Sequence, residues 1–133
     1  MKFPDKFDVL AVHASLISET GGSAGFRDEG LLESALAAAE NRHDYEDADL
    51  VTCAATYAYH LTQAHAFIDG NKRIAAAITE TFLETNDGQL VITNEEMVQL
   101  FLKSASGVLS RDEVEQFFRT NVAGRIKEAL SKY

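Results

Sequence analysis

Residues 65–73, HAFIDGNKR, place a histidine, a carboxylate and two cations within nine positions, just before an alanine-rich run. Histidine is the side chain that most often serves as a general base, so the imidazole of His65 could take a proton from an attacking hydroxyl. Asp69 offers the oxygen ligands that Mg²⁺ prefers, and protein-bound Mg²⁺ commonly joins one or two carboxylates to phosphate. A general base beside a metal-binding carboxylate indicates a site for phosphoryl or nucleotidyl transfer.

The second half of the same stretch is suited to hold an anion. Alanines with helical periodicity follow it, so we predict a helix with Asn71 as its N-cap. The first turn of a helix has backbone N–H groups without internal acceptors and carries about half a positive charge. Gly70 has no side chain that would keep a phosphate away from this backbone. Lys72 and Arg73 lie at the unfavourable end of the helix dipole, and an adjacent polyphosphate would explain their placement.

Each of these residues also has a purely structural interpretation. Asp69-Gly70 is a turn signal, Asn71 alone is a common helix cap, and adjacent cations usually lie on a solvated helix face. Phe67 alternates with His65 and Asp69, so we expect its ring to point inward and fix the loop. The structural interpretation accounts for each residue separately, but it leaves two cations at the positive end of a helix unexplained.

Helices are the elements predicted to position this stretch, because apolar residues recur with a 3.6-residue period along most of the chain. The apolar face of the first helix consists of Val9, His13, Leu16 and Ile17. This helix should end before Gly21, and Asp28 should cap the second. A third is predicted from about residue 50 to 64, and the one that follows the motif should end near residue 86.

Further helices are predicted near the C-terminus, where capping-box patterns begin at Thr93 and Ser110. Residues 90–92 are predicted to form a short extended segment. Arg27, in the glycine-rich loop that follows the first helix, is expected to form an ion pair with a nearby acid; the alternative is a contact with a phosphate or carboxylate of the substrate. Taken together, the patterns predict an all-α, compact bundle of about six or seven helices.

Length, composition and net charge restrict the classes of protein to which this chain could belong. A length of 133 residues with 46% hydrophobic and 25% charged residues is typical of one globular domain, which we expect to span 1–133. The net charge of −9 disfavours direct binding to nucleic acid or to an anionic membrane. No stretch has the length of a signal peptide or a membrane span, and Cys53 is the only cysteine, so we expect a cytoplasmic protein.

The motif as a whole resembles the signature of the Fic/Doc family, H-x-F-x-(D/E)-G-N-(G/K)-R. The GNKR form is similar to the Doc (death-on-curing) branch, and so is the upstream segment ETGGSAGFRDEGLLESAL, residues 19–36. The resemblance implies a small helical fold with the motif between two central helices. It also implies that His65 is the general base, that Asp69 binds Mg²⁺, and that the ATP phosphates are held by Gly70, Asn71, Lys72 and Arg73.

For the Doc branch, the resemblance implies a toxin of a toxin–antitoxin system. Such a toxin transfers the γ-phosphate of ATP to a threonine of elongation factor Tu and arrests translation. A cognate, Phd-like antitoxin would silence it by docking a segment that folds on binding across the active site.

Two alternatives remain open at the level of sequence. A Fic-type enzyme would transfer AMP, but its signature continues with a second arginine where this chain has Ala76. A catalytically silent binding module would have lost turnover, and Ala76 and Ala77 favour it because they leave the next helical turn without polar nucleotide ligands. Against this second alternative, every residue with a direct chemical role is present.

Overall fold

The computed structural model describes residues 1–124, and within them the chain is a helical bundle, as predicted. Its six helices are α1 (Lys6–Thr20), α2 (Glu29–Glu46), α3 (Leu50–Ala64), α4 (Asn71–Thr85), α5 (Asn94–Ala105) and α6 (Arg111–Asn121). None of these helices is long and apolar enough to cross a lipid bilayer. The predicted single domain over 1–133 includes residues outside the described range and stays a prediction.

Helix α3 lies at the centre of the bundle and packs against α2, α4, α5 and α6. Its buried residues are Thr52, Cys53, Ala54, Ala55, Thr56, Tyr57, Ala58, Leu61 and Thr62. Several of these are alanines, whose small side chains let neighbouring helices approach closely. The C-terminal end of this central helix leads directly into His65, so the packing of the bundle fixes where the motif begins.

Most predicted helix caps are confirmed. The Asp28 carboxylate accepts a hydrogen bond from the Leu31 N–H, and complete capping boxes begin at Thr93 and Ser110. The prediction for Asn71 is wrong. Gly70 occupies the N-cap position of α4, and Asn71 is the first helical residue. Its amide turns back into the loop, where it accepts from the N–H of Phe67 and donates to its C=O, at 3.0 and 2.9 Å.

The extended segment predicted at residues 90–92 lies two residues earlier. Strand β1 (Gly88–Leu90) pairs antiparallel with β2 (Val122–Gly124), and Gln89 is opposite Ala123. The prediction and the strand overlap only at Leu90. Because the partner strand follows α6, far along the chain, local sequence could not place the start of β1.

Candidate functional site

His65 ends α3 and begins the motif loop, which we define as residues 65–70. Its backbone is left-handed, with φ of 48°, an uncommon conformation for a residue other than glycine. The carbonyl oxygen of His65 accepts a hydrogen bond from Arg27 Nε at 3.0 Å. The imidazole is exposed to solvent, and no hydrogen bond joins it to any residue in the range 1–124. The chain thus reverses direction at His65 while the ring stays available to a substrate.

A second loop, residues 22–28, supports the motif loop through backbone hydrogen bonds. The N–H groups of Arg27 and Asp28 both donate to the carbonyl oxygen of Ala66, at 2.8 and 3.0 Å. The Ile68 N–H donates to the carbonyl oxygen of Gly25 at 3.2 Å. These bonds align the two loops as a short antiparallel pair, and they fix the backbone on the C-terminal side of His65.

Phe67 points inward, as predicted, and is 2% exposed. Its ring stacks on the rings of His13 and Phe26, with centroid distances of 3.8 and 5.0 Å. His13 is also buried, and its Nε2 lies 2.9 Å from the carbonyl oxygen of Asp69. Because a carbonyl can only accept, Nε2 must carry a proton. His13 therefore ties α1 to the motif loop through both a stack and a hydrogen bond.

This role of His13 was missed from the sequence, which placed the residue on the apolar face of α1 without linking it to the motif. A signal was present. A histidine between Val9 and Ile17 on a buried helix face requires a hydrogen-bond partner, because an unpaired buried polar group is costly. The sequence could not show that this partner is a carbonyl 56 residues away.

The N-terminus of α4 is open. No side chain among residues 1–124 caps it, and its first helical hydrogen bond runs from the Ile74 N–H to the Gly70 carbonyl oxygen, at 2.9 Å. The N–H groups of the three residues before Ile74 therefore have no helical acceptor. Gly70 has φ of 80°, so a side chain there would be strained, although an added Cβ would meet its neighbours, such as His13 Nε2 at 3.7 Å, at ordinary contact distance.

A cleft of about 310 Å³ lies in front of this helix end, and its walls are Thr20, Gly22 and residues 69–73. It brings together all five residues predicted to hold the phosphates and the metal ion. The side chains of Lys72 and Arg73 are exposed, and neither makes an ion pair with any residue in 1–124. His65 is not among the lining residues and stands at the other end of the motif loop. The cleft can accept a polyanion.

The residues present suit a magnesium ion that arrives with a nucleotide. The Asp69 Oδ2 accepts a hydrogen bond from the Ser23 N–H at 3.0 Å, which orients the carboxylate at the wall of the cleft. Among residues 1–124, no three His, Cys, Asp or Glu side chains gather into a metal-binding cluster. Mg²⁺ often takes only one or two protein carboxylates and completes its shell with phosphate and water. A single carboxylate beside an anion cleft fits this pattern.

Comparison with known proteins assigns the site to a family. The sequence profile of the Fic/DOC family matches residues 3–83, a range that includes α1, the motif loop and most of α4. The chain belongs to the Fic/Doc family. It is also 33% identical over 113 residues to "Protein kinase doc" of Escherichia phage P1, across 84% of this chain and 89% of that protein. The Fic/Doc match covers both loops of the candidate site and the stack beneath them.

Proposed function

We propose that this protein is a Doc-like toxin that transfers the γ-phosphate of ATP to a protein hydroxyl, with a threonine of elongation factor Tu as acceptor, and so arrests translation. The observation that carries the proposal is the uncapped N-terminus of α4, with Lys72 and Arg73 exposed around it and the exposed imidazole of His65 nearby. Similarity to a protein named as a kinase favours transfer of phosphate over transfer of AMP. The partly buried Ala76, where Fic enzymes carry a second arginine, supports the same choice.

In this mechanism His65 takes the proton of the acceptor hydroxyl as the hydroxyl oxygen attacks the γ-phosphorus of ATP. The bond between the γ-phosphorus and the β–γ bridging oxygen breaks, and ADP leaves with the bonding electron pair. Lys72, Arg73 and the free N–H groups of α4 offset the charge on the transferred group. Gly70 lets the phosphates approach this backbone. Asn71 contributes its backbone N–H, because its side chain is already paired with both polar groups of the Phe67 backbone.

Asp69 is the residue that would hold Mg²⁺. When bound, the ion neutralises charge on the ATP phosphates. The Ser23 N–H fixes one carboxylate oxygen, and the carboxylate group faces the cleft where the phosphates bind. A Phd-like antitoxin and a cytoplasmic location belong to the same proposal, because a protein that blocks translation acts where ribosomes work and must be held inactive until needed.

Labelled ATP tests the proposal directly. Purified protein, Mg²⁺ and elongation factor Tu are incubated in parallel with ATP labelled at the α- or at the γ-phosphate. Label on the factor from γ-labelled ATP alone supports phosphoryl transfer. Label from α-labelled ATP alone overturns it in favour of AMP transfer, and no label together with no Mg²⁺-dependent ATP binding indicates a silent binding module.

A further inference from the structure

The side chain of Arg27 is hydrogen-bonded to the backbone of His65, the proposed general base. Its Nε donates to the carbonyl oxygen of His65 at 3.0 Å, and its backbone N–H donates to the carbonyl oxygen of Ala66 at 2.8 Å. The ion pair expected for Arg27 from the sequence is not formed with any acid in residues 1–124, and its side chain bonds to the motif loop instead. The rest of the guanidinium is exposed to solvent.

The two acidic residues that follow Arg27 in the sequence already have hydrogen-bond partners. The Asp28 carboxylate accepts from the Leu31 N–H at 3.2 Å, and Glu29 Oε1 accepts from Lys6 Nζ at 2.9 Å. Within residues 1–124, the Arg27 guanidinium has no carboxylate oxygen within 4.0 Å. Its two terminal NH₂ groups make no hydrogen bond to the part of the chain that the structure describes. An arginine fork of this kind can bind an anion through two parallel hydrogen bonds.

The position of Arg27 indicates where that anion comes from. The cleft assigned to the nucleotide phosphates is lined by Thr20, Gly22 and residues 69–73, and Arg27 is not among them. Its guanidinium is instead hydrogen-bonded to the carbonyl oxygen of His65, the residue that would take the proton of the acceptor hydroxyl. An anion bound by Arg27 would therefore lie outside that cleft and beside His65, where an acceptor protein would present its hydroxyl.

We propose that Arg27 is a specificity and positioning residue for the transfer reaction. Its Nε stabilises the left-handed backbone of His65, and its terminal NH₂ groups bind a carboxylate that lies beside the acceptor hydroxyl on the target protein. This inference rests on the proposed function. It adds that acceptors are selected by an acidic group next to the modified residue.

Two variants separate these roles. In Arg27→Gln, the side-chain amide nitrogen stands at the same number of bonds from Cα as Nε, so the hydrogen bond to His65 can be kept while the charged fork is lost. In Arg27→Met both are lost at a similar chain length. Arg111→Gln is the matched control, because it removes the charge of another exposed arginine at the start of α6.

The assay measures kcat and KM for γ-phosphate transfer to elongation factor Tu. We expect Arg27→Gln to raise KM for the factor at least about tenfold, because the charge-assisted hydrogen bonds of the fork are lost, with kcat and the KM for ATP unchanged. Arg27→Met should raise KM equally and also lower kcat about tenfold, because His65 loses its backbone support. The KM of wild type for the factor should rise with salt more steeply than that of Arg27→Gln.

Each of the following outcomes would overturn one part of the proposal for Arg27. A KM for the factor in Arg27→Gln equal to that of wild type or of Arg111→Gln removes the recognition role. Equal kcat in Arg27→Met and Arg27→Gln removes the positioning role. A raised KM for ATP alone assigns the anion to the nucleotide and overturns the acceptor assignment. Absence of transfer by wild type overturns the proposed function and this inference with it, whereas any of the preceding results with an active wild type concerns Arg27 alone.

Discussion

The two ends of the central helix α3 differ in whether their charged side chains are paired. At its N-terminus, Asp49 accepts from the Thr52 N–H at 2.9 Å and forms a two-bond ion pair with Arg119, at 3.0 and 3.2 Å. The hydrogen bonds from Arg119 hold the pKa of the Asp49 carboxyl well below its ordinary value. At the C-terminus, the exposed ring of His65 has no hydrogen-bond partner among residues 1–124, and the cations beyond it are unpaired within the same range.

The charges near the N-terminus of α3 also form a connected group. Arg42 bonds to Glu46, Glu115 and the Thr56 hydroxyl, and Thr52 donates its hydroxyl hydrogen to Glu115. Here the charged groups satisfy one another and hold α2, α3 and α6 together. Near the motif loop, His13 and Arg27 bond to backbone carbonyls instead and fix the shape of the loop. Asp69, Lys72 and Arg73 form no ion pair within residues 1–124. Polar groups of the same kinds thus stabilise the fold at one end of a helix and are available to a ligand at the other.

The largest effect is expected from His65→Ala. If His65 is the proposed general base, its removal should lower the rate of phosphoryl transfer by about a hundredfold to ten-thousandfold. The melting temperature should stay near that of wild type because the residue is exposed. Transfer from γ-labelled ATP and circular dichroism melting measure the two quantities. His65→Asn is the control for backbone effects, since asparagine tolerates the left-handed conformation. Full activity in either variant would mean that another residue is the base.

The next effect in size is expected from Gly70→Ala, which tests the open end of α4. A Cβ at positive φ, 3.6 Å from Ile17 Cδ1, should lower the free energy of unfolding by about 1–2 kcal/mol. Displacement of the first turn should also weaken Mg²⁺-dependent ATP binding at least about tenfold, measured by calorimetry. Gly107→Ala, with φ of 79° and open space around the added Cβ, should lose similar stability and keep its ATP affinity. Equal ATP affinity in both variants would contradict the anion site.

A smaller effect on ATP binding is expected from His13→Phe, which keeps the stack on Phe67 and removes the hydrogen bond to the Asp69 carbonyl. An unpaired buried carbonyl should lower the free energy of unfolding by about 1–3 kcal/mol. Because Asp69 is then held less firmly, the Mg²⁺ concentration for half-maximal activity should rise a few-fold. An unchanged Mg²⁺ requirement in a destabilised variant would show that His13 serves the fold alone.

The smallest effect on the reaction is expected from Asp49→Asn, which keeps the helix cap and removes the ion pair with Arg119. Because the pair is exposed, the free energy of unfolding should fall by only about 1 kcal/mol at pH 7, with phosphoryl transfer unchanged. The folded-state pKa of Asp49 is depressed, so the pair stabilises wild type above the ordinary pKa of 3.8 and loses this effect as pH falls further. Urea unfolding should show that the free energies of unfolding of wild type and Asp49→Asn differ less at pH 3 than at pH 7. A loss of transfer activity in Asp49→Asn would contradict the view that the charges at the N-terminus of α3 serve stability alone.

The sequence predicted the parts of this molecule that depend on neighbouring residues. The helices, the capping boxes at Thr93 and Ser110 and the inward ring of Phe67 all follow from local patterns. Asn71 shows the limit, since a side chain able to cap a helix is used instead to close the preceding loop, and the curvature of that loop decides between the two. The bonds that His13 and Arg27 make to the motif loop depend on tertiary packing, which no local pattern contains.

The bond between His13 and the Asp69 carbonyl has a consequence for the newly made chain. Its partners are 56 residues apart, so they can meet only after α1 has docked beneath the junction of α3 and α4. Until then, the segment that carries His65 and the two cations has no fixed shape, and the cleft before α4 is not yet formed. We therefore expect a nascent chain to show none of the proposed activity before the end of α4 has been synthesised and α1, α3 and α4 have packed together.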